Sequence, residues 1–446
     1  MTKAFCGGRR RLGAVAAQAI GMALAAIVLG MLWTMAPASA AAPTAKDKQC
    51  LSCHGLPGLA KQLSDGQTLS LHVDATHFAD SVHAPLGCSG CHSDIDLASH
   101  PSAARVIPSR QAFAVSMSQQ ICATCHTKEF QQWGQSVHAA LVRQGDAHAP
   151  VCSNCHSPHT MTRGEASSMA TVPCRSCHAV IYAAYATSVH GILRTQGVAE
   201  APLCFNCHRA HDVAVPSALE GLAPVCLSCH KEAVETHRTW LPDVDLHFKV
   251  VACSACHTPQ AHRVVALVLY SNQMQKEISE PEGIPEFENF TLPPTAQRPG
   301  LDAATLMALL ATLSNDGIAG KTAILGRLEV ATGAETHQLS FAAKAIHDCA
   351  VCHRKGAAAF QSVKVVVAGP AGIPINYNAA NAVLTSVFTI PAIGGFYVIG
   401  GTRIGFLDVA FVLALAVGIG WSILHLIVRW GVRRFAPDTH HEQPKG

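Results

Sequence analysis

The chain has 446 residues, enough for two or three ordinary domains, and it contains 19 cysteines and 26 histidines against only 5 tyrosines. Its 32 lysines and arginines nearly balance 29 aspartates and glutamates, for a formal net charge of +3. That balance gives no support to nucleic-acid binding, whereas the cysteine and histidine content indicates a metal, disulfide or cofactor framework.

The first 40 residues have the pattern of a signal peptide. Lys3 and Arg9-Arg10-Arg11 precede an apolar run from Leu12 to Trp33, and Ala38-Ser39-Ala40 supplies an Ala-x-Ala cleavage site. We therefore expect residues 1–40 to be removed, together with Cys6. The mature chain is expected to begin at residue 41 in the periplasm or an equivalent exported compartment.

Nine copies of Cys-x-x-Cys-His follow, and they use every cysteine except Cys6. This spacing is the attachment signal of c-type haem, in which two thiols form thioethers with one porphyrin and the next histidine becomes the proximal iron ligand. Zinc ribbons and disulfide frameworks do not explain a histidine after every second cysteine. The predicted thioether cysteines are Cys50, Cys53, Cys88, Cys91, Cys122, Cys125, Cys152, Cys155, Cys174, Cys177, Cys204, Cys207, Cys226, Cys229, Cys253, Cys256, Cys349 and Cys352. The predicted proximal ligands are His54, His92, His126, His156, His178, His208, His230, His257 and His353.

We therefore expect nine covalently bound haem c groups, each with one iron. Because every haem adds two acidic propionates, the oxidised mature protein should carry a net charge of about −10.

The middle of the chain contains an internal repeat. The first cysteines of the third, fifth and seventh motifs are 52 residues apart, and the same offset relates His138 to His190 and His159 to His211. Looser copies precede and follow, so eight motifs form four pairs, each with two additional histidines. This is the number needed to ligate every iron of the pairs from both sides. The distal candidates in the four pairs are His83, His100, His138, His159, His190, His211, His247 and His262.

One further histidine of the repeat is predicted to be a surface residue. His148 occupies the place at which the next copy has Glu200. A low-spin iron cannot exchange histidine for glutamate, whereas a solvated loop can.

Residues 41–265 thus form an eight-haem region, and residues 266–348 a haem-free insertion or linker. The insertion contains a Pro/Glu-rich stretch, Glu280 to Pro299, and a predicted helix, Ala303 to Leu313. The ninth motif and a membrane-proximal segment occupy residues 349–403, with a predicted strand at Val363 to Val367. The ninth haem requires its own distal ligand, for which His337 is preferred to His347 because His347 is very close to the motif.

Residues 404–428 are apolar except for Asp408, Ser422 and His425, and this length suits one membrane-spanning helix. Three arginines begin the tail, residues 429–446, and place it in the cytoplasm by the positive-inside rule. A second span at Ala382 to Gly401 is disfavoured, because Pro391 and four glycines interrupt it and the tail would change sides. His425 is either a b-haem ligand, a residue near a quinone, or an interfacial residue.

The stretch Phe78-Ala-Asp-Ser-Val-His83-Ala-Pro-Leu-Gly-Cys88-Ser-Gly-Cys91-His92 resembles multihaem c-type cytochromes with paired Cys-x-x-Cys-His motifs. The Cys-His-x-x-His forms at His156/His159 and His208/His211 are similar to theirs too. The resemblance covers residues 47–262 well and the ninth motif loosely. It implies that the additional histidines are distal ligands, often of a haem attached elsewhere in the chain.

Nine motifs followed by Phe406-Leu-Asp408, and later His425 and Arg429, also resemble inner-membrane nine-haem proteins that take electrons from menaquinol. Those proteins have a complete multi-helix b-type cytochrome domain, of which this sequence has one helix. Because one helix is too small a membrane part to enclose two b-haems, we expect a separate cytochrome b-type membrane subunit.

The sequence favours a mostly α, haem-packed protein with little regular secondary structure and one C-terminal transmembrane helix. The expected function is non-enzymatic electron transfer in respiration, between a membrane quinol/cytochrome b partner and periplasmic cytochromes or a terminal reductase. The alternative is a multihaem reductase of a small nitrogen or sulfur oxyanion, with one open haem site at the isolated ninth motif. No Cys-x-x-Cys-Lys, which marks some such enzymes, occurs in the sequence. A purely structural anchor does not explain the paired histidines.

Overall fold

The computed structural model describes residues 43–101, 106–164, 168–214, 221–271, 276–277, 300–313, 322–368, 374–398, 401–402 and 404–435. The predicted signal peptide, the Pro/Glu-rich stretch and the end of the tail lie outside these ranges. The chain divides into two compact units, Met1–Cys125 with Pro150–Glu165, and His126–Ala149 with Ala166–Gly446.

The first unit consists of short helices and one small hairpin. Strands β1 (Ala60–Gln62) and β2 (Thr68–Ser70) pair antiparallel. A π-helical segment spans Ser118–Cys122 and a 3-10 turn spans Ala84–Leu86. The α-helices are Ala45–His54, Ala75–Asp80, Cys88–Cys91, Arg110–Met117, Ala123–Cys125 and Cys152–Cys155.

The second unit combines short helices with a sheet and one long helix. Its 3-10 turns are Pro173–Ser176, Ala342–Lys344, Ala358–Phe360, Asn381–Leu384 and Ile390–Ala392. Its α-helices are Thr127–Gly134, Val137–Arg143, Ala179–Ala186, Val189–Thr195, Cys204–His208, Ala223–Cys229, Ala233–Arg238, Val244–Val250, Cys253–His257, Ala303–Leu313, Gly333–Thr336, Ala350–His353 and Gly405–Phe435.

Serine caps explain why the repeated Ser-Val-His sequences begin helices. The Ser136 hydroxyl accepts a hydrogen bond from the Ala139 amide, and the Ser188 hydroxyl accepts one from the Gly191 amide, each at 3.1 Å. Serine is a favoured N-cap because its side chain satisfies an amide that the first helical turn leaves unpaired. Both serines are buried, so each cap fixes where the following histidine lies.

Described residues of the second unit form a six-stranded sheet that the mostly α prediction missed. Its strands are β3 (Arg263–Ser271), β4 (Lys276–Glu277), β5 (Thr322–Val330), β6 (Val363–Ala368), β7 (Pro374–Ala379) and β8 (Ile393–Gly394). The order is β7-β6-β3-β5-β8, with β4 paired to β3. Strands β3–β5, β3–β4 and β6–β7 are antiparallel, whereas β3–β6 and β5–β8 are parallel. The predicted strand at residues 363–367 is confirmed as β6.

The core of the second unit lies against β3. Val265 and Leu267 face a cluster that includes Leu306 of the predicted helix at 303–313, which is confirmed. Ala266 and Val268, on the opposite face of β3, are equally buried. A strand buried on both faces has a continuous apolar sequence instead of an alternating one, which is why the pattern gave no strand signal.

The C-terminal helix Gly405–Phe435 is long and apolar enough to cross a membrane, with a mean hydropathy of 2.3 over its candidate span. It contains most of the predicted span, and it is the only such helix in the part of the chain that the structure describes. The described residues 382–398 of the disfavoured segment instead form 3-10 turns and β8. Its Val383 and Leu384 are buried in the core of the sheet, so no second span forms there.

Candidate haem sites

The Cys-x-x-Cys-His motifs mostly form single helical turns. In several of them the histidine amide donates to the carbonyl of the first cysteine, for example His92 to Cys88 at 3.0 Å and His230 to Cys226 at 2.9 Å. This turn brings both sulfurs and the imidazole of one motif to a common side. The arrangement is what attachment of one porphyrin beneath its iron requires.

Histidines of the motifs lie opposite other histidines at a nearly constant distance. Among the described residues, seven motif histidines have a partner ring whose centroid is 5.9 to 6.3 Å away. In every pair the partner is a histidine outside the motifs. The pairs are His54–His100 and His92–His159 in the first unit, and His178–His138, His208–His337, His230–His190, His257–His237 and His353–His247 in the second.

This separation fits a single iron between the two rings. Two imidazoles that bind one metal from opposite sides, at about 2 Å each, have ring centroids about 6 Å apart. Ordinary aromatic pairs cover about 4.5–7 Å, so one pair alone would be uninformative. Seven pairs within so narrow a range, each joining a motif histidine to a non-motif one, match haem iron with two axial histidines. The donor set therefore fits haem c.

Backbone carbonyls orient several of these rings. The Nδ1 atoms of His237, His247 and His337 lie 2.7, 3.1 and 2.6 Å from the carbonyl oxygens four residues earlier in the chain. His54 Nδ1 lies 2.8 Å from the Leu71 carbonyl. A carbonyl accepts only a protonated nitrogen, so Nε2 keeps the lone pair that a metal requires.

Burial favours the ligating form of the best-enclosed rings. Desolvation and the facing imidazole lower the pKa of His138, His190 and His208. The same two causes lower the pKa of His159 and His257. A lowered pKa keeps the imidazole neutral, and only the neutral form binds a metal.

The nine distal candidates do not all lie in these pairs. Six of them do: His100, His138, His159, His190, His247 and His337. His83 Nδ1 lies 3.1 Å from the Pro158 carbonyl, and the ligand roles of His83 and His211 stay predictions. The surface prediction for His148 agrees with its 97% exposed side chain.

His262 and His237 differ from the sequence prediction. The side chain of His262 is 86% exposed, and its Nδ1 lies 2.7 Å from the Glu335 carboxylate. His237, which the repeat did not single out, lies opposite His257 instead. The available signal was that two histidines, His237 and His247, separate the seventh and eighth motifs, where the stretch between the fifth and sixth motifs has only His190.

The ninth motif also has a different partner from the one expected. His353 faces His247, whereas His337 faces His208 of the sixth motif. The reason lies in the path of the preceding segment, whose Ser340 amide donates to the carbonyl of His257 at 2.7 Å. That path carries His337 past the eighth motif and away from the ninth. His347 instead packs on Trp240, with the two ring centroids 4.8 Å apart.

Cysteines of successive motifs interact with one another. First cysteines hydrogen-bond through their thiols in the pairs Cys50–Cys88, Cys122–Cys152, Cys174–Cys204 and Cys226–Cys253. Second cysteines lie close enough to interact electrostatically in the pairs Cys91–Cys125, Cys207–Cys229 and Cys256–Cys352. Burial raises the pKa of the Cys256 thiol to about 11. In the haem-loaded protein these sulfurs would be thioethers.

A buried carboxylate joins the first two motifs. Asp47, only 2% exposed, accepts hydrogen bonds from the Thr44 hydroxyl and amide at 2.5 and 2.8 Å and from the Cys88 amide at 2.8 Å. These hydrogen bonds lower the pKa of Asp47 to about 2, and the bond from the Thr44 hydroxyl has the largest effect. The helix of the first motif is therefore fixed to the start of the second.

Comparison with known families agrees with this geometry. A family model described as the doubled CXXCH motif matches residues 195–235, which contain the sixth and seventh motifs. The match supports a multihaem c-type cytochrome that binds haem c covalently and takes part in electron transfer. No curated protein and no solved structure matches the chain.

Proposed function

We propose that this protein is a membrane-anchored periplasmic cytochrome with nine haem c groups, and that it passes electrons in respiration without catalysing a reaction of its own. The observation that carries the proposal is the set of seven opposed histidine pairs. Haem c, when bound, supplies a reversible one-electron couple at iron.

The histidines do two things for such a function. With haem bound, the two histidines of each pair would hold its iron from both sides, which would leave no site for a small substrate at those irons. Their Nδ1 hydrogen bonds hold the rings in place, as for His237, His247 and His337. Fixed ligands keep the geometry of the iron the same in both oxidation states, and this favours fast electron exchange over substrate chemistry.

The C-terminal helix supports attachment to the inner, cytoplasmic membrane. Arginines at its end favour a cytoplasmic tail, with the haem units on the periplasmic side. One helix cannot enclose b-type haems by itself. We therefore propose a separate cytochrome b-type subunit that oxidises quinol, and periplasmic cytochromes or a terminal reductase as the other partner.

The reductase alternative places an open iron at the ninth motif. His247 lies 6.1 Å across from His353, with its Nδ1 bonded to the Asp243 carbonyl. A ligand already held in that position disfavours an open site there.

An EPR spectrum of the oxidised, haem-loaded protein in detergent tests the choice. Electron transfer with two histidines on every iron predicts nine low-spin ferric centres and no high-spin ferric signal. A high-spin signal that integrates to one iron per chain, and that shifts when nitrite, hydroxylamine or sulfite is added, would instead support the reductase.

A further inference from the structure

We infer, on the basis of the haem c proposed at the sixth motif, that Glu335 is a positioning residue for the distal ligand of that haem. The ligand is His337, whose ring centroid lies 5.9 Å from that of His208. Glu335 lies outside the histidine pair and acts on the iron only through the place that it gives to His337.

His337 follows a helix of a single turn. The helix spans Gly333–Thr336, and the Thr332 hydroxyl caps it by accepting a hydrogen bond from the Glu335 amide at 3.2 Å. One turn makes too few hydrogen bonds of its own to be stable alone. The position of His337 opposite His208 therefore depends on contacts that hold this turn to the rest of the unit.

The Glu335 carboxylate supplies such contacts before the ligand. One of its oxygens lies 2.7 Å from Nδ1 of His262 and also accepts the amide of His262 at 3.2 Å. The other oxygen accepts a hydrogen bond from the Thr332 hydroxyl at 2.8 Å. The Glu335 side chain is only 21% exposed, and hydrogen bonds to a charged carboxylate are stronger than those between neutral groups. Glu335 therefore ties the turn to the residue that immediately precedes β3.

Backbone contacts hold the chain after the ligand. The Val189 amide donates to the Leu339 carbonyl at 2.8 Å, two residues beyond His337, and the Ser340 amide is bonded to the eighth motif. These bonds join main-chain atoms, which a side-chain substitution leaves in place. Glu335 is thus a side chain whose loss would release the turn on one side without removing the ligand itself.

A second ligand with the same local sequence shows what Glu335 adds. Glu-Thr-His occurs at residues 335–337 and 235–237, and both histidines face a motif histidine. In both, the histidine Nδ1 lies 2.6 or 2.7 Å from the carbonyl oxygen four residues earlier, and the threonine hydroxyl donates to a carbonyl at 2.9 or 2.8 Å. Glu235, however, bonds at 2.6 Å to the arginine three residues later in its own helix, whereas Glu335 bonds to His262, 73 residues away. The shared turn therefore orients each imidazole, and Glu335 in addition joins its turn to a distant part of the chain.

EPR of the oxidised, haem-loaded protein in detergent tests this role, with the high-spin ferric signal integrated against total iron. His337→Ala removes the ligand itself and should add one high-spin iron per chain, which is the reference value. Glu335→Ala should raise the high-spin signal above that of the wild type and towards the reference. Added imidazole should return this iron to low spin, because the haem has lost only its distal ligand.

Graded and matched variants accompany these two. Glu335→Gln keeps one acceptor oxygen and should give a smaller signal than Glu335→Ala. Glu235→Ala is the matched control, since it removes the glutamate of the other Glu-Thr-His turn, and it should leave the spectrum unchanged. His262→Ala retains the backbone amide that Glu335 accepts, so it should also keep the low-spin state.

A double variant separates positioning from general damage to the unit. If Glu335 acts through His337, Glu335→Ala with His337→Ala should give no more high-spin iron than His337→Ala alone, because two changes that act on one ligand are not additive. More high-spin iron in the double variant, or a Glu335→Ala spectrum identical to that of the wild type, would overturn the positioning role. If Glu335→Ala does not assemble, Glu335→Gln takes its place in the same comparisons.

The result is distinguishable from a failure of the proposed function. Every variant is compared with the wild type, so a high-spin iron already present in the wild-type spectrum would contradict electron transfer alone and leave the differences between variants as the measure of Glu335. If His337→Ala adds no high-spin iron, the ligand assignment at the sixth motif is wrong, and the role of Glu335 is refuted with it.

Discussion

Replacement of His237 by alanine should leave one iron in each chain without a sixth ligand. His237 faces His257 at 6.1 Å, and its Nδ1 is fixed by the Ala233 carbonyl at 2.7 Å. Alanine removes the whole ring and retains the helix that carries it. The iron bound at the eighth motif should therefore change from low-spin to high-spin.

The size of the effect follows from what surrounds the ring. The ring centroids of Phe248 and Trp240 lie 5.2 and 5.6 Å from that of His237. Neither side chain has a nitrogen lone pair that could replace the imidazole as ligand. The high-spin signal should therefore integrate to one of nine irons. His347 packs on Trp240 and interacts with His257, so it is the nearby histidine that could take the place of His237 as ligand. The double variant, His237→Ala with His347→Ala, removes that possibility.

The assay is EPR of the oxidised protein, with integration of the high-spin ferric signal against total iron. His262→Ala is the control, because His262 is five residues from the same motif histidine but lies in solvent beside Glu335. It should leave the spectrum unchanged. If His262→Ala gives the high-spin iron and both His237 variants do not, the ligand assignment at the eighth motif is wrong.

Other predictions use the rest of the chain. Intact-mass measurement after signal removal should show nine haem additions, and fewer than eight would contradict the architecture. His138→Ala should produce a high-spin signal, whereas His148→Ala should leave the spectrum and the redox titration unchanged. A reporter fused after Lys445 should be active in the cytoplasm, and activity confined to the periplasm would contradict the single span. Asp47→Asn should destabilise the first unit by up to about 2 kcal/mol at neutral pH. Folding lowers the pKa of Asp47 from 3.8 to about 2, so that stabilisation is complete above pH 3.8 and is lost as the pH falls through about 2. The thermal unfolding temperatures of the native protein and the variant should therefore converge in acid.

Sequence reasoning reaches furthest where function depends on local spacing. A haem attachment motif is complete within five residues, and a serine cap with its histidine is complete within four, so both kinds of site can be read directly. The strict repeat then singled out His138 and His190, which lie opposite His178 and His230. The identity of those partners required the fold, because each pair joins residues that are 40 positions apart.

The sequence was least informative where the repeat loosens. His237 has no counterpart at the same offset in the stricter copies, and its position opposite His257 depends on how the helix Ala233–Arg238 packs. The sheet was missed for a different reason. Residues 264–269 are buried on both faces of β3, so they lack the alternation that identifies a strand.

The segment that follows the eighth motif has a larger role than that of a linker. Its first residue in β3, Arg263, donates to the carbonyl oxygens of Ala255 at 2.8 Å and Ala261 at 2.9 Å, which fixes the turn around His257. The same segment later carries His337 to the sixth motif. One stretch of chain thus fixes the turn around His257, places His337 beside His208 of the sixth motif and builds the sheet against which Cys352 of the ninth motif packs. We therefore expect deletion of this segment to impair at least three haem sites together, whereas loss of a single distal histidine affects one.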